Sequence, residues 1–515
     1  MEKSYVIASV CIIFLLSLFI FQQINLTATD LGRHLKNGEL FIHADNLNIS
    51  RNALLHTNFF SFTNSYFPFV NHHWGSGILF YLIFSVFGFN GLSLFYGGCV
   101  LFSVVLLFYV WRYKVPILVS FPIMLFLIPL VAERTEVRPE GLSYLFISLI
   151  LALLCLYTTD EINKKWLYII PFFSLLFVNS HIYFILAPFI IGMFLLETLI
   201  RKDFIRSKFL AIILTLSTLT ICINPYGLYG VIYPFIIFRN YGYLVVENQS
   251  IPFFIHLGIS NPNFLWWAIA TGFFIFTSVF VFWKHRNKFP IALCGIATVF
   301  AILSFSAIRN LTLYSLVLVS LFLYCAHILY KKPDNKEKME NHTICSIALS
   351  VILLIFIAVH FSDRLPWNSN WGAGLPPRIN ASADFFKAER IKGPIFSNYD
   401  IGGYLIFNLY PEEKVFVDNR PEAYPASFFQ NEYIPMQDNE TVWNTELEKW
   451  NFNVIYFYRN DLTPWAQKFL VTRVSDPLWA PVFVDDYTLI FLRRNEKNID
   501  IIKKYELPQS MFSVK

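Results

Sequence analysis

The sequence predicts an α-helical, multi-pass membrane protein with a smaller α/β domain in its C-terminal part. Of its 515 residues, 56% are hydrophobic and only 15% are charged, whereas an ordinary soluble domain carries about 25% charged residues. Long apolar segments recur through residues 1–361, and short basic loops alternate with longer loops of mixed charge. This composition excludes an ordinary soluble protein and a disordered one.

About eleven apolar segments are long enough to cross a membrane, which requires about 20 mostly apolar residues. They are residues 5–22, 91–111, 115–132, 141–158, 166–180, 182–200, 208–224, 264–283, 289–307, 310–330 and 343–361. No small-residue cleavage site follows the first segment, so we interpret it as a membrane anchor and not as a signal peptide. The segment 166–180 is the weakest of the set because it is short and contains Pro171.

The charges in the loops predict the orientation of the spans. One alternating set of loops is short and basic, and the positive-inside rule places such loops in the cytoplasm. These loops contain Arg112 and Lys114, Lys164 and Lys165, Arg201 to Lys208, Lys284 to Lys288, and Lys331 to Lys338. An odd number of spans then puts the N-terminus inside and the C-terminal segment outside the cytoplasmic (inner) membrane. This parity requires the short apolar stretch 78–89 to form an interfacial helix that does not span.

We therefore predict two domains. Residues 1–361 form a transmembrane domain, which includes a first outer loop, 23–90, with interfacial helices. Residues 362–515 form an extracytoplasmic α/β domain, because short strand-like runs alternate there with helix-like stretches. The predicted strands are 394–396, 414–417, 454–458 and 487–493, and the predicted helices are 382–391, 401–409, 441–450 and 464–471.

Several kinds of site are not expected from the sequence. All seven cysteines lie in apolar stretches, so neither a disulfide framework nor a cysteine-ligated metal cluster is predicted. The net charge of +5 is too small to indicate binding to nucleic acid. Phosphate-binding glycine loops and paired metal motifs are missing from the sequence. We predict no cofactor, no metal ion and no nucleic-acid partner.

The first outer loop begins with an acidic residue close to the membrane surface. Asp30 follows the first span by a few residues and precedes the stretch LGRHLKNGELF. Thr29 or Asp30 suits the N-cap of a helix over this stretch. Leu31, Leu35 and Leu40 would share an apolar face of that helix, which is typical of a helix in the membrane interface. Asp30 is therefore either a helix cap or a functional carboxylate.

Three histidines of the first outer loop are candidates for binding substrate. His34 follows Asp30 by four residues, and His72 and His73 precede Trp74. Paired histidines can bind a metal ion or a phosphate. Spaced partners for a metal site are absent from this stretch, so a polar or phosphate-binding role and a structural role stay open.

The second outer loop places five charged residues within eight positions between two spans: Glu133, Arg134, Glu136, Arg138 and Glu140. Such a patch is usually a solvated charge run, but unpaired charges beside a bilayer are costly, which favours a function for at least one of them. Four of these residues, Glu133, Arg134, Arg138 and Glu140, are candidate substrate-binding residues.

Arg309 lies on a very short outer turn between two predicted spans. An ionisable group at this depth is a candidate for function. Its guanidinium can bind an anion there, or its stem can simply extend along the apolar surface so that the charge reaches water.

Four sequence runs, together with the topology, carry a resemblance to a known family. The runs are DLGRHLKNGE, SFTNSYFPFVNHHW, ERTEVRPEG and DIGGYLIFNLYPEEKVFVDNR. One span is followed by a long outer loop that starts with an acid, then by a many-span bundle and an outer α/β domain. In these features the chain resembles the GT-C superfamily of integral-membrane glycosyltransferases, and within it a bacterial branch.

The resemblance implies inverting transfer of a sugar from a polyprenyl-phosphate donor to a glycan, lipid or protein acceptor on the outer face of the membrane. Asp30 is the position that matches the general base of the family. Arg309, Arg138 and His72, in that order, are the candidates for the cations that stabilise the leaving phosphate. The sequence departs from the family pattern at Asn71-His72-His73-Trp74, where Asn-His-Glu-Trp is expected. The resemblance does not require a metal ion.

Two other functions stay open. A polymerase or ligase of surface polysaccharide also uses a lipid-linked donor but moves whole chains. A transporter or assembly protein without enzymatic activity is the other alternative, although the charges of this chain lie at the outer ends of spans and not at the midplane. In the C-terminal domain, Asp400–Gly403 and Asp418–Arg420 are interpreted as turns, with a role in acceptor recognition as the alternative.

Overall fold

The computed structural model describes residues 2–237, 241–333 and 336–512, which form two compact units. The first unit comprises Met1–Gln23, Ser93–Gly227 and Val245–Ala373, and the second comprises Ile24–Leu92, Leu228–Leu244 and Gly374–Lys515. The predicted domain boundary at residues 361 and 362 stays a prediction. In the structure, the first outer loop belongs to the same unit as the C-terminal segment.

The described residues are mostly helical. The helices are α1 (Glu2–Ile20), α2 (Leu31–Ile42), α3 (Arg51–His56), α4 (Trp74–Val110), α5 (Ile117–Val131), α6 (Glu140–Thr158), α7 (Ile170–Val178), α8 (Leu186–Ile200), α9 (Phe204–Ile221), α10 (Gly227–Ile232), α11 (Ile251–His256), α12 (Pro262–Lys284), α13 (Ile291–Ser306), α14 (Leu311–Leu329), α15 (Lys336–His360), α16 (Ala381–Ala388), α17 (Gly402–Leu409), α18 (Pro435–Asp438), α19 (Glu440–Trp450), α20 (Pro464–Val474) and α21 (Ile499–Tyr505). The strands are β1 (Ile395–Ser397), β2 (Val454–Tyr458), β3 (Trp479–Val484) and β4 (Thr488–Arg493).

Eight helices in the described part of the chain are long and apolar enough to cross a membrane. Each coincides with one of the predicted segments, which confirms a multi-pass helical membrane protein. The three remaining predicted segments form the shorter helices α5, α7 and α13. The exact number of spans therefore stays a prediction.

Helix α4 joins the stretch 78–89 and the following span in one element, with a break at Gly88. This residue has φ 62° and ψ −160°, a conformation that residues with a Cβ rarely adopt. A Cβ at Gly88 would meet no atom within 4 Å, so the break depends on the backbone conformation and not on close packing. The break lies near the end of the stretch 78–89, and the non-spanning, interfacial position of that stretch stays a prediction.

The first unit is a helical bundle around α14. Fourteen of the 19 residues of α14 are buried, and the helix packs against α5, α12 and α13. In contrast, α15 has 25 residues but buries only Leu353 and Ile357. A helix that is apolar on all sides and mostly uncovered is expected to face lipid.

The second unit contains a four-stranded sheet in the order β1-β2-β4-β3. Strand β2 is parallel to β1 and antiparallel to β4, and Val454 pairs with Ile395 on one side and Leu492 on the other. Buried aromatic residues dominate the core around this sheet, among them Phe396, Phe416, Trp443, Phe452, Phe457, Phe469 and Trp479.

Most of the predicted elements of the C-terminal segment are confirmed. Strands β1, β2 and β4 and helices α16, α17, α19 and α20 lie where the sequence predicted them. The predicted strand 414–417 is wrong, because only Val415 forms an isolated bridge, to Ser61. Strand β3 was not predicted. It lies at the edge of the sheet and contains Pro481, a residue that edge strands tolerate.

Candidate functional site

Asp30 lies at the start of α2 in the second unit, and its carboxylate contacts two side chains of the same helix. Its Oδ2 is 3.3 Å from Nη2 of Arg33 and 3.2 Å from Nε2 of His34. Residues three and four positions apart lie on one helical face, so the local sequence creates this contact. We call these three residues the Asp30 centre. Asp30 occupies the N-cap position, but its side chain makes no capping hydrogen bond, so the capping interpretation of the side chain is wrong.

Helix α2 is largely enclosed by protein, although its amphipathic pattern predicted a helix in the membrane interface. Its buried residues include the polar Arg33, His34 and Asn37. A Cβ on Gly32 would lie 2.5 Å from the carbonyl oxygen of Gly403, and a Cβ on Gly38 would lie 2.1 Å from that of Gly77. The two glycines thus let the backbones of α17 and α4 approach α2 more closely than any side chain would permit.

A second pair of opposite charges lies in the same unit. Arg420 donates from Nε to Oδ1 of Asp418 and from Nη2 to Oδ2, both at 2.6 Å. Nη2 of Arg420 also donates to Oδ1 of Asn58 at 2.7 Å, and the hydroxyl of Tyr424 donates to Asp418 at 3.2 Å. Both charged residues are buried, and the bidentate geometry is the strongest form of such a pair. We call it the Asp418–Arg420 pair.

The charge of Arg33 interacts with carboxylates beyond Asp30. Burial lowers the pKa of Arg33, while Asp30, Asp418 and Glu422 act to raise it and Arg420 acts to lower it further. Burial also raises the pKa of Glu422, with Arg33 and Arg420 acting in the opposite direction. The Asp30 centre therefore lies within the electrostatic field of residues 418–422.

The two glycines of the Asp400–Gly403 motif explain why these segments meet. A Cβ on Gly402 would lie 2.4 Å from Cα of Asp418, and a Cβ on Gly403 would lie 2.9 Å from the carbonyl oxygen of Thr29. The start of α17 thus packs by its backbone against both the turn that holds Asp418 and the loop that holds Asp30. The sequence interpretation of this motif as a simple turn missed that role.

The three candidate histidines lie in one row. The rings of His34 and His73 are 5.2 Å apart and nearly perpendicular, and those of His73 and His72 are 3.9 Å apart. The ring of His72 also contacts that of Tyr233, at 5.7 Å. The structure therefore brings His34, His72 and His73 together with Asp30. The described residues contain no group of three or more His, Cys, Asp or Glu side chains that could hold a metal ion.

The second outer loop, in the first unit, forms a network of ion pairs. Glu247 contacts both arginines of the loop, with its carboxylate 3.2 Å from Arg134 and 2.8 Å from Arg138. Glu136 lies 2.7 Å from Arg138, and Glu140 lies 3.8 Å from Arg134. We call these five residues the Glu247 cluster. Burial acts to lower the pKa of Arg134, but Glu247, Glu136 and Glu140 raise it above its usual value.

Glu133 makes a separate set of contacts. Its Oε2 accepts hydrogen bonds from Arg364 at 2.7 Å and from Asn263 at 2.5 Å, and its Oε1 accepts one from Asn261 at 2.8 Å. The carboxylate is buried, and these three donors favour a structural role, in which it fastens the start of α12 to the segment that follows α15.

Arg309 lies in the first unit at the start of α14. Its guanidinium is 5.4 Å from the centre of the Tyr183 ring, a distance typical of a cation–π contact. The hydroxyl of Tyr183 donates to Oδ1 of Asn310 at 2.6 Å. The ring of His181 lies 4.6 Å from that of Tyr183, and Nε2 of His181 lies 4.0 Å from Glu140. These contacts connect Arg309 with Glu140 through two aromatic rings.

The fold is similar to that of solved oligosaccharyltransferases. Archaeal AglB from Archaeoglobus fulgidus, in complex with an inhibitory peptide and a dolichol-phosphate, matches 94% of this chain and 72% of its own, with a TM-score of 0.61 and 11% identity. The apo form of the oligosaccharyltransferase from that organism matches 94% of this chain and 73% of its own, with a TM-score of 0.60 and 13% identity. The complex of the A. fulgidus oligosaccharyltransferase with Zn and sulfate matches 95% of this chain and 73% of its own, with a TM-score of 0.55 and 14% identity. The chain has the GT-C fold. No family model and no curated protein matches the sequence.

Sequence reasoning identified some of the charged residues that meet in this structure, but not all of their partners. It named Asp30 and His34, but not Arg33 as their partner. It named Arg134 and Arg138, but not Glu247, which lies in a loop of mixed composition far along the chain. One sequence signal could have been used. Gly402 and Gly403 begin a helix shortly before the turn Asp418–Arg420, and such a combination indicates a close backbone approach at a charged site.

Proposed function

We propose that this chain is a membrane glycosyltransferase that moves a sugar from a polyprenyl-phosphate donor to an acceptor hydroxyl. The fold supports the proposal, because the similar A. fulgidus protein is an oligosaccharyltransferase and one of its structures contains a dolichol-phosphate. The helices that are long and apolar enough to cross a bilayer also support a donor that is held in the membrane. The observation that carries the proposal is the Asp30 centre, a largely covered carboxylate held by two donors at the start of the first outer helix.

Asp30 is the general base in this proposal. Its carboxylate takes the proton from the acceptor hydroxyl while that oxygen forms a bond to the anomeric carbon of the donor sugar. The bond from the anomeric carbon to the phosphate oxygen breaks, and the polyprenyl phosphate leaves with the electron pair. One displacement of this kind inverts the anomeric configuration. Arg33 and His34 both contact Oδ2, which fixes the orientation of the carboxylate.

The negative charge on the leaving phosphate must be stabilised by cations. Arg309 is the first candidate, because its guanidinium is oriented by the Tyr183 ring and a planar guanidinium can bind phosphate through two hydrogen bonds. Arg138 is a weaker candidate, since it already contacts Glu136 and Glu247. His72 is the candidate within the second unit.

The proposal places the chain in the cytoplasmic membrane, with the N-terminus inside and the C-terminal segment outside. A reporter fused after Lys515, which lies outside the described residues, should be active only outside the cytoplasm. A reporter after Lys338 should be active only inside, because the loop that contains it is basic. Activity of the Lys515 fusion in the cytoplasm would overturn the orientation.

Substitution of Asp30 by Asn tests the assignment of the base. Membranes that contain the variant should transfer radiolabelled sugar about 10²–10⁴-fold more slowly than wild type, because the amide cannot accept the proton. Asp45→Asn is the matched control, since Asp45 belongs to the same outer loop but is exposed and pairs with Arg51 at 2.8 Å. Normal transfer by a well-expressed Asp30→Asn variant would exclude Asp30 as the base. Absence of transfer by wild type with every donor would favour a transporter or assembly protein.

Transfer of a whole glycan is the second candidate function, because the similar A. fulgidus protein is an oligosaccharyltransferase. The chemistry at the anomeric carbon would be the same, and the donor would carry an oligosaccharide or polysaccharide. The size of the product distinguishes the two cases: a single added sugar favours a monosaccharide transferase, whereas a shift by a complete glycan favours a polymerase or ligase.

A further inference from the structure

A groove in the first unit lies between α5, α12, α14 and α15, remote in sequence from the Asp30 centre. It has a volume of 630 Å³, and its wall is almost entirely apolar. Pro122 and Phe126 of α5, Phe273 of α12 and Phe322 and Leu329 of α14 line it on one side. The other side is formed by α15, the least buried of the long helices.

One stripe of α15 faces this groove along most of the helix. Met339, His342, Cys345, Leu349 and Leu353 line the groove, and their spacing of three or four residues places them on one helical face. Beyond Leu353 on α15, the ring of Phe356 stacks on that of Trp266, with the ring centres 4.6 Å apart. The groove is therefore an apolar slot that follows one face of α15.

The slot is somewhat longer than the hydrocarbon part of one membrane leaflet. At 1.5 Å per residue, the helical stripe from Met339 to Leu353 extends over about 21 Å. The hydrocarbon core of a bilayer is about 30 Å thick, so one leaflet contributes about 15 Å. A single acyl chain can thus lie in the slot over its full length.

The opposite end of the slot is basic. Tyr330 and Met339 line the groove at this end. Lys331 and Lys332 follow Tyr330 directly, and Lys338 precedes Met339. All three lysine side chains are exposed. Two acidic residues of the described chain lie near this end, at the start of α15: Glu340, which is 3.8 Å from Lys336, and Glu337, which is exposed. An apolar slot that ends at lysines suits a molecule with a hydrocarbon chain and an anionic head.

We propose that this groove binds one anionic phospholipid. One of its acyl chains fills the space between α15 and the helices α12 and α14, and its phosphate contacts Lys331 and Lys332. The lipid would replace the protein contacts that α15 lacks, and so hold this helix against the bundle. The inference rests on the groove and its charges alone and does not depend on the proposed transfer reaction.

Native mass spectrometry of the full chain, purified in detergent and exchanged into defined lipid, tests the proposal. Wild type should retain one dioleoyl phosphatidylglycerol in preference to dioleoyl phosphatidylcholine. Lys331→Gln combined with Lys332→Gln should reduce retention, because each lysine near an anionic head group changes binding by about fivefold. Lys284→Gln combined with Lys288→Gln removes the same charge from another basic loop and should leave retention unchanged.

A second pair of variants tests the slot itself. Cys345→Trp places a large ring in the groove, whereas Ala348→Trp places the same ring on an exposed position of α15 that does not line it. Only the first should lose the lipid, and a thermal melt checks that both remain folded. Equal retention of the two lipids, equal loss in both lysine pairs, or full retention in Cys345→Trp would overturn the proposal. Stoichiometric displacement of the phospholipid by polyprenyl phosphate would also overturn it and assign the slot to the donor.

Discussion

The Asp30 centre and the Glu247 cluster both combine arginines with carboxylates, but their charges are arranged differently. In the Glu247 cluster, Arg134 and Arg138 share the carboxylates of Glu136 and Glu247, and Arg134 also contacts Glu140. In the Asp30 centre, one carboxylate meets an arginine and a histidine through the same oxygen. The first arrangement neutralises its own cations and holds a loop in place. The second fixes the orientation of a single carboxylate, which is what a general base requires.

The Asp418–Arg420 pair should show the largest effect on stability. Asp418→Asn leaves Arg420 without its bidentate partner in a buried position, and breaking a buried pair in this way costs about 3–5 kcal/mol. Thermal or denaturant unfolding in detergent measures the loss, with exposed Asp438, which pairs with Lys468, as the matched control through Asp438→Asn. If Asp418→Asn and Asp438→Asn unfold alike, the stability of the second unit does not depend on the Asp418–Arg420 pair. The charges near the Asp30 centre would then differ less from those of the Glu247 cluster in what they contribute to stability.

The Glu247 cluster should respond in stability more than in catalysis. Glu247→Gln removes the carboxylate that Arg134 and Arg138 share, and the loss of such charge-assisted hydrogen bonds is expected to lower the free energy of unfolding by about 1–3 kcal/mol. Donor affinity should stay close to that of wild type in the folded fraction. A variant that is as stable as wild type but inactive would show that the cluster serves the reaction directly.

Arg309→Lys should have the smallest effect on binding free energy or stability. It distinguishes three roles of Arg309: binding the donor phosphate, extending to water, and forming a structural ion pair. If Arg309 binds the donor phosphate, loss of one charge-assisted hydrogen bond, worth about 1.5 kcal/mol, should weaken donor binding roughly tenfold. Titration with a polyprenyl-phosphate sugar measures this change. Unchanged affinity would exclude phosphate binding and favour a side chain that only extends to water, because lysine keeps the stem and the charge. A lower melting temperature with unchanged affinity would instead indicate a structural ion pair.

The sequence predicted those features that depend on neighbours along the chain. Apolar length located the helices, and the change of composition after residue 361 located the strands β1, β2 and β4. The contact between Asp30 and His34 follows from their spacing on one helix. The run 414–417 failed as a strand because its apolar character reflects burial and not pairing. Contacts such as Arg134 with Glu247, or Gly32 with Gly403, join residues far apart in sequence, and local patterns carry no information about them.

The close approach of Gly32 to Gly403 has a consequence for the order in which the protein is made. Translation produces α2 early, and α17 emerges only after all the long apolar helices have left the ribosome. Until then, the surface that receives the backbone of α2 does not exist, and its buried Arg33 and His34 lack part of their cover. A nascent chain therefore carries the whole bundle before the enclosure of Asp30 is complete, and ribosome-stalled chains that end before α17 should expose this segment to proteases.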